Sequence, residues 1–337
     1  MTTKTRWVLA LALAAAGATP ATAKDVLKIA TLAPQGSIWD RALRETAAGW
    51  AKASGGQGEL RIYAGGVAGD ESDVLRKIRI GQFQGAGLTV AGLGDIEPAF
   101  KVFHLPMFFA SDAELDATLA ALGPELDRRL EAKGFVRLMW AHGGWVHLFS
   151  RTPIRTVDDL KKQKLFVWAG DDAIVQQWRR NGFQPVPLAA TDILMGLQTK
   201  LIDVVPSTPG VALTLQWFRQ APTMLGLGLG PLPGAVVVTK AAWDKLSAAD
   251  RQAITAAAAE AEKRLAAEVP KYDADSITEM RKRGLEVVEI TEQERAAWRQ
   301  AAEEFARGTR EDQVPPEILE AARKAVAGVR AGAGGAP

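Results

Sequence analysis

Three histidines, His104, His142 and His147, are the side chains of this chain whose ordinary pKa suits them to move protons near neutral pH. Each reads as a core or surface residue, because no partner pattern makes a catalyst of it. The sequence has no Gly-x-Ser-x-Gly elbow for a nucleophile, no phosphate loop ending Gly-Lys-Ser/Thr and no His-Glu-x-x-His pair for zinc. It also has no cysteine, which removes thiolate nucleophiles, Cys-ligated metals, disulfides and a lipoprotein anchor. The acid pairs Asp70-Glu71 and Asp171-Asp172 could offer oxygens to a hard cation, but adjacent acids at helix starts serve as caps that suit the helix dipole. Gly226-Leu227-Gly228-Leu229-Gly230 has the wrong third-glycine spacing for a nucleotide loop, and Pro231 blocks the helix that would have to follow. We therefore expect no catalytic residue, no cofactor and no metal.

The elements that would position a binding site begin after an export signal. Lys4 and Arg6 form a basic start, Trp7 to Ala16 is apolar, and Ala21-Thr22-Ala23 supplies small residues for cleavage after Ala23. Ten apolar residues fall short of the roughly 20 that span a bilayer, so residues 1–23 read as a signal peptide and the mature chain is expected to be periplasmic without stable membrane insertion. Lys4 and Arg6 are the only charges in that segment, so 39 Lys+Arg face 39 Asp+Glu beyond it. A balance near zero argues against a nucleic-acid partner, which needs a basic surface. Ten tryptophans are many for 337 residues; they belong to a core or to a ligand cleft, the two places where large amphipathic rings gather.

Strands at Val26 to Thr31, Glu59 to Tyr63 and Ala86 to Val90 alternate with a helical stripe of Trp39, Leu43, Ala47 and Trp50 and with a helix capped by Asp70. That alternation predicts a doubly wound parallel α/β lobe with ligands at the carboxyl ends of the strands. A strand at Phe135 to Trp140, broken by Gly143-Gly144 and Pro153, crosses to a second lobe containing Leu165 to Trp168, helices Asp172 to Arg180 and Thr191 to Thr199, and a strand Leu201 to Val205. The Gly/Pro-rich loop Gly226 to Gly234 marks a return through a strand Ala235 to Thr239. A long helix opens at Ser247 to about Ala267, resumes after Pro270 to Arg283, and is followed by Glu292 to Arg307, boxed by Thr291 and Glu294, and by a helix after Pro315-Pro316. The expected architecture is a two-lobed periplasmic-binding-protein fold of type II-like α/β design, with hinge strands and a long connecting helix. The first lobe takes 24–144 and 234–270, the second 145–233 and 271–330, and 331–337 forms a disordered tail.

Several segments in this order carry a family likeness: Ala33-Pro34-Gln35-Gly36; Gly69 to Gly81; Leu105-Pro106-Met107-Phe108-Phe109; Pro153-Ile154 with Asp158-Asp159-Leu160-Lys161; and Trp243-Asp244-Lys245-Leu246-Ser247. Over essentially the whole mature chain they resemble the dicarboxylate-receptor family, the solute receptors of tripartite ATP-independent periplasmic (TRAP) transporters. The resemblance implies two α/β lobes that close by a hinge on one small-molecule ligand, with a TRAP-type membrane permease as partner.

The same alignment exposes departures. The segment Lys164-Leu165-Phe166-Val167-Trp168 resembles one in which the family carries a ligand-pairing Arg where Phe166 stands, and Val146 stands at a second such Arg, in Gly144-Trp145-Val146. Ser207 replaces a usual carboxamide beside Thr208, and Ala190 replaces a common aromatic. A hydrogen bond to a charged group contributes roughly 1.5 to 3 kcal/mol, so two lost donors remove roughly 3 to 6 kcal/mol, about two to four decades of affinity. The expected ligand is therefore apolar, aromatic or neutral. The candidate contacts are Gln35 and Trp39 from one lobe and Trp145, Val146, Phe166, Trp168, Ser207 and Thr208 from the other, although the aromatic members could equally be core. Two alternatives stay open: a carboxylate ligand held by another cation such as Arg151, Lys164 or Arg79, and a ligand-sensing receptor feeding a signalling partner.

Overall fold

In the computed structural model, which describes residues 24–308 and 313–333, the chain begins with β1 (Asp25–Thr31). This strand lies parallel between β2 (Gly58–Tyr63) and β3 (Gly85–Thr89), with α1 (Ile38–Ala53) and α2 (Glu71–Arg79) as crossovers. Local chemistry sets both helix starts. The Ser37 side chain accepts from the Asp40 N–H, and Asp70 forms a capping box with Asp73. There follow α3 (Val90–Ile96), a 3-10 helix Pro98–His104 and α4 (Asp112–Ala132).

One strand joins the lobes. β4 (Phe135–Ser150) pairs antiparallel with β9 along most of its length, then slips register between His142 and Trp145, and its last residues join the second sheet. That sheet has the order β4-β7-β5-β6 and includes β5 (Lys164–Trp168), β6 (Gln184–Leu188) and β7 (Val204–Ser207). The helices α5 (Val157–Lys161), α6 (Asp172–Arg180), α7 (Ile193–Gln198) and α8 (Pro209–Thr214) connect them. β8 (Thr223–Leu225) adds to β4, and β9 (Gly230–Thr239) returns to the first sheet, where it pairs antiparallel with both β3 and β4. The order of the first sheet is β2-β1-β3-β9-β4. The chain closes with α9 (Lys240–Trp243), α10 (Ala248–Lys282), β10 (Glu286–Val288), α11 (Glu292–Arg307) and α12 (Pro316–Ala333).

α10 spans both lobes. Its 35 residues reach about 50 Å at 1.5 Å each. Ile254, Ala258, Ala261, Leu265 and Val269 pack on Trp39, Leu43 and Trp50 of the first lobe, while Met280 sits among Phe149, Phe166, Trp217 and Phe218 of the second. The helix runs straight through Pro270, where the sequence suggested a break. An interior proline costs about 3 kcal/mol, and the apolar contacts of the flanking turns offset it.

Four other expectations shift. The strand expected at Leu201 to Val205 starts at Val204, because Leu201 is exposed in a turn. The Gly226 to Gly234 loop is half strand, since β9 begins at Gly230. The sequence places the last helix in the second lobe, within 271–330, yet Ile318, Ala322 and Val326 of α12 pack with Leu115, Leu119 and Leu126 of α4 in the first-lobe core. Residues 331–333 continue that helix and do not form a tail, while 334–337 and the signal segment 1–23 lie outside the described residues. No helix among the described residues is long and apolar enough to cross a membrane.

Candidate functional site

Between the lobes lies a cavity of about 300 Å³, at the lower end of the roughly 300 to 1,000 Å³ typical of ligand sites. Its first-lobe wall comes from the starts of α2 and α3 and from the 3-10 helix, which contributes Lys101, Phe103 and His104. Its second-lobe wall comes from β4 and β5, with α6 and α11 behind them. Most of that surface is apolar: Val146 and Leu148 of β4, Leu165 to Trp168 of β5, Ile174 and Trp178 of α6, and Trp298 and Phe305 of α11.

Of the residues expected at the site, Val146, Phe166 and Trp168 stand at this wall. Phe166 is buried and meets Trp168 edge-to-face, with ring centroids 5.6 Å apart. The other five lie away from it. Gln35 is exposed in the turn after β1. Trp39 is core: its indole N–H donates to the His142 carbonyl at 2.8 Å and its ring meets Tyr272 edge-to-face. Trp145 packs on the first-lobe core and donates its indole N–H to Asp112 Oδ1 at 2.7 Å. Ser207 and Thr208 are buried where β7 turns into α8, Ser207 Oγ donating to the Thr208 carbonyl at 3.3 Å. None of the alternative cations Arg151, Lys164 and Arg79 reaches the wall either: Arg151 lies 3.7 Å from Asp203, and Lys164 donates to the Lys200 carbonyl.

The charged residues that do line the cavity are Lys101, Asp70, Glu71, Asp95 and Asp171. The Lys101 ammonium donates to Asp171 Oδ2 at 2.5 Å, joining the first lobe to the cap of α6. Burial would raise the Asp171 carboxyl, but Lys101 and the Ile174 N–H hold it below its ordinary value. Asp70, the cap of α2, also accepts from the Ala190 N–H across the lobes at 3.2 Å, and burial pushes it up. Glu71 is buried and ties the β3–α3 turn together, accepting from the Thr89 N–H, the Thr89 hydroxyl and the Gly92 N–H at 2.7 to 2.9 Å. Burial still pushes its carboxyl up to about 7.

Lys101 and His104 were missed as site residues. Residues three apart eclipse on a 3-10 helix, so the Pro98-x-x-Lys101-x-x-His104 spacing ahead of Leu105-Pro106 was the available signal. His104 lines the cavity and is an exposed residue, with its ring crowded by neighbouring protein. That crowding, helped by the charge of Lys101 and opposed by Asp171, pushes its imidazole down to about 4. The ring is therefore neutral at pH 7, with one donor and one acceptor.

Behind the cavity, Asp273 of α10 fastens the crossing. Its carboxylate accepts from the Trp145 N–H at 3.3 Å and the Gly210 N–H at 3.1 Å, linking α10, β4 and α8. Burial pushes it up to about 6. Gly144, which precedes Trp145, has φ +97°, and a Cβ there would fall 2.1 Å from Asp273 Oδ2, so glycine is required by both conformation and space.

Comparison with known proteins places these features in a family. The pattern of the bacterial extracellular solute-binding proteins, family 7 (DctP), matches residues 29–312. A solute-binding protein of Verminephrobacter eiseniae is 26% identical over 243 residues, 71% of each chain. The C4-dicarboxylate-binding periplasmic protein DctP of Rhodobacter capsulatus is 25% identical over 250 residues, 73% of this chain and 75% of its own. Among solved structures, the sugar-acid-binding protein of Advenella mimigardefordensis in complex with galactonate superposes with a TM-score of 0.85 at 20% identity, covering 91% of this chain and 99% of that one.

Proposed function

The chain belongs to the family-7 bacterial extracellular solute-binding proteins, and on that premise we propose that its solute is small and mostly apolar, aromatic or uncharged, enclosed by hinge closure of the two lobes. As a member of that family it is a TRAP-type periplasmic solute-binding receptor and not an enzyme. Delivery of the solute to a TRAP permease and cleavage after Ala23 belong to the same reading.

The observation that carries the solute assignment is the charge of the cavity wall. Four carboxyl groups face one amine, and that amine is already engaged by Asp171. An arriving carboxylate would meet repulsion, and would have to displace Asp171 to reach a cation. Phe166 and Val146 at the wall support the same conclusion, since neither can pair an acid.

The relatives favour a second reading. The Rhodobacter protein is named for C4-dicarboxylates and the Advenella structure holds galactonate; a receptor of this shape could take an acid by using Lys101. Thermal unfolding separates the two, because a ligand that binds the folded state raises the melting temperature by mass action. Succinate and malate should leave it unchanged, whereas an aromatic solute such as benzyl alcohol should raise it. Micromolar binding of either dicarboxylate overturns the apolar assignment.

A further inference from the structure

Two parts of the cavity differ in chemistry. Its inner end, between β5 and the helices α6 and α11, is walled by Leu165, Ile174, Trp178, Phe183, Trp298 and Phe305, none of which carries a charge. Trp178 packs on both Phe183 and Phe305, with centroids 4.9 Å and 4.5 Å apart, the Trp298 indole N–H is taken by the Arg155 carbonyl, and Gln177 beside them donates to the Phe305 carbonyl, so this end offers water few side-chain partners. The cavity is large enough for several waters, and those at the inner end would give up hydrogen bonds to be there.

The mouth is polar, and most of its groups are satisfied within the protein. Asp70 accepts from Glu71 and Ala190, Glu71 from Thr89 and Gly92, and Asp171 from Lys101 and Ile174. Two groups differ: Asp95 and His104 are exposed at the cavity surface, and among the described residues neither the Asp95 carboxylate nor the His104 ring has a hydrogen-bond partner, which leaves both open to solvent or to a solute. Both lie within the field of Lys101. Burial raises the Asp95 carboxyl, so its ionised form gains from an arriving cation. The neutral His104 ring supplies a second acceptor.

We propose that the solute is an elongated amphipathic amine, its apolar body running into the second lobe between β5, α6 and α11 and its ammonium held at the mouth by Asp95 and His104. The assignment rests on the non-acid reading of the cavity given above and narrows it. An ammonium donates up to three hydrogen bonds and offsets the excess of carboxylates; an alcohol of the same length offers one donor and no charge, and a carboxylate adds to the repulsion. Each methylene that reaches the inner end removes apolar surface from water, which corresponds to about a fourfold gain in affinity.

The probes are butylamine, hexylamine and octylamine with the matching alcohols and carboxylates, titrated calorimetrically into the full mature protein. Octylamine should bind at least tenfold tighter than octanol, and octanol tighter than octanoate, with amine affinity rising about fourfold per methylene. Asp95→Asn should cut octylamine binding about tenfold and octanol binding far less. Ala302→Phe, or the smaller Ala302→Leu, fills the inner end from α11 and should abolish the chain-length gain, with circular dichroism reporting the fold of each variant. Octanol or octanoate matching octylamine, indifference of octylamine to Asp95→Asn, or no amine binding at millimolar concentration would overturn the ammonium assignment. Affinity independent of chain length while benzyl alcohol still binds overturns the elongated body alone. Micromolar succinate binding instead overturns the underlying non-acid reading.

Discussion

Asp273→Asn isolates the electrostatic cost of the hinge anchor. Asp273 is 9% exposed and titrates near 6, against about 3.9 in an unfolded chain. The raised value means that the folded state binds the proton more tightly than the unfolded state does. The stabilisation is therefore complete below about pH 4 and is lost as the pH rises through 6. Two units at about 1.4 kcal/mol each place the cost of ionisation near 3 kcal/mol at pH 7.5 and about 1 kcal/mol at pH 4.5. Asn cannot ionise; its one oxygen can accept from either the Trp145 or the Gly210 N–H, which bond separate oxygens of Asp273, and the loss of the other bond is a cost that does not change with pH. The variant's stability relative to the parent should therefore change by about 2 kcal/mol between those two pH values, in the parent's favour at the acidic end. Urea unfolding of both proteins at pH 4.5, 6 and 7.5, without ligand, measures the difference, and every other titrating group cancels in the comparison. A difference that stays flat across this range would refute the reasoning, since it would mean that Asp273 is solvated well enough to ionise freely.

Trp168→Ala should weaken an aromatic ligand by about 1 to 3 kcal/mol, through the apolar area lost where Trp168 meets Phe166; unchanged affinity in calorimetry would remove Trp168 from the binding surface. Hinge closure predicts a smaller radius of gyration in solution scattering with saturating ligand than without it, and an unchanged radius would count against closure.

Periodicity and punctuation made much of the scaffold legible. Parallel β1, β2 and β3 with their crossover helices follow from alternating apolar runs and caps, and the Thr291–Glu294 box is present at the start of α11. The order of family-like segments carried the receptor fold, and the absence of arginine at 146 and 166 was plain in the letters. Those are local properties: they depend on side chains near one another in sequence, or on the type of residue at one place.

Tertiary packing decided the rest. Trp39 of α1 and Phe166 of β5 are both large buried aromatics, yet only Phe166 also lines the cavity while Trp39 is enclosed in the first-lobe core, because burial depends on which distant element covers a ring. Pro270 reads as a stop, and only the two cores gripping α10 keep the helix unbroken. α12 follows second-lobe elements in the chain, but its apolar stripe matches α4. The charge of the site had a partly similar origin: Asp95, Lys101 and His104 are close in sequence on the first lobe, but Lys101 and Asp171 are 70 residues apart and meet only because the lobes fold against each other. Sequence order sets which side chains exist and how each segment winds, while the sign of the field in the cavity is a sum over charges that only the folded chain brings within a few ångströms.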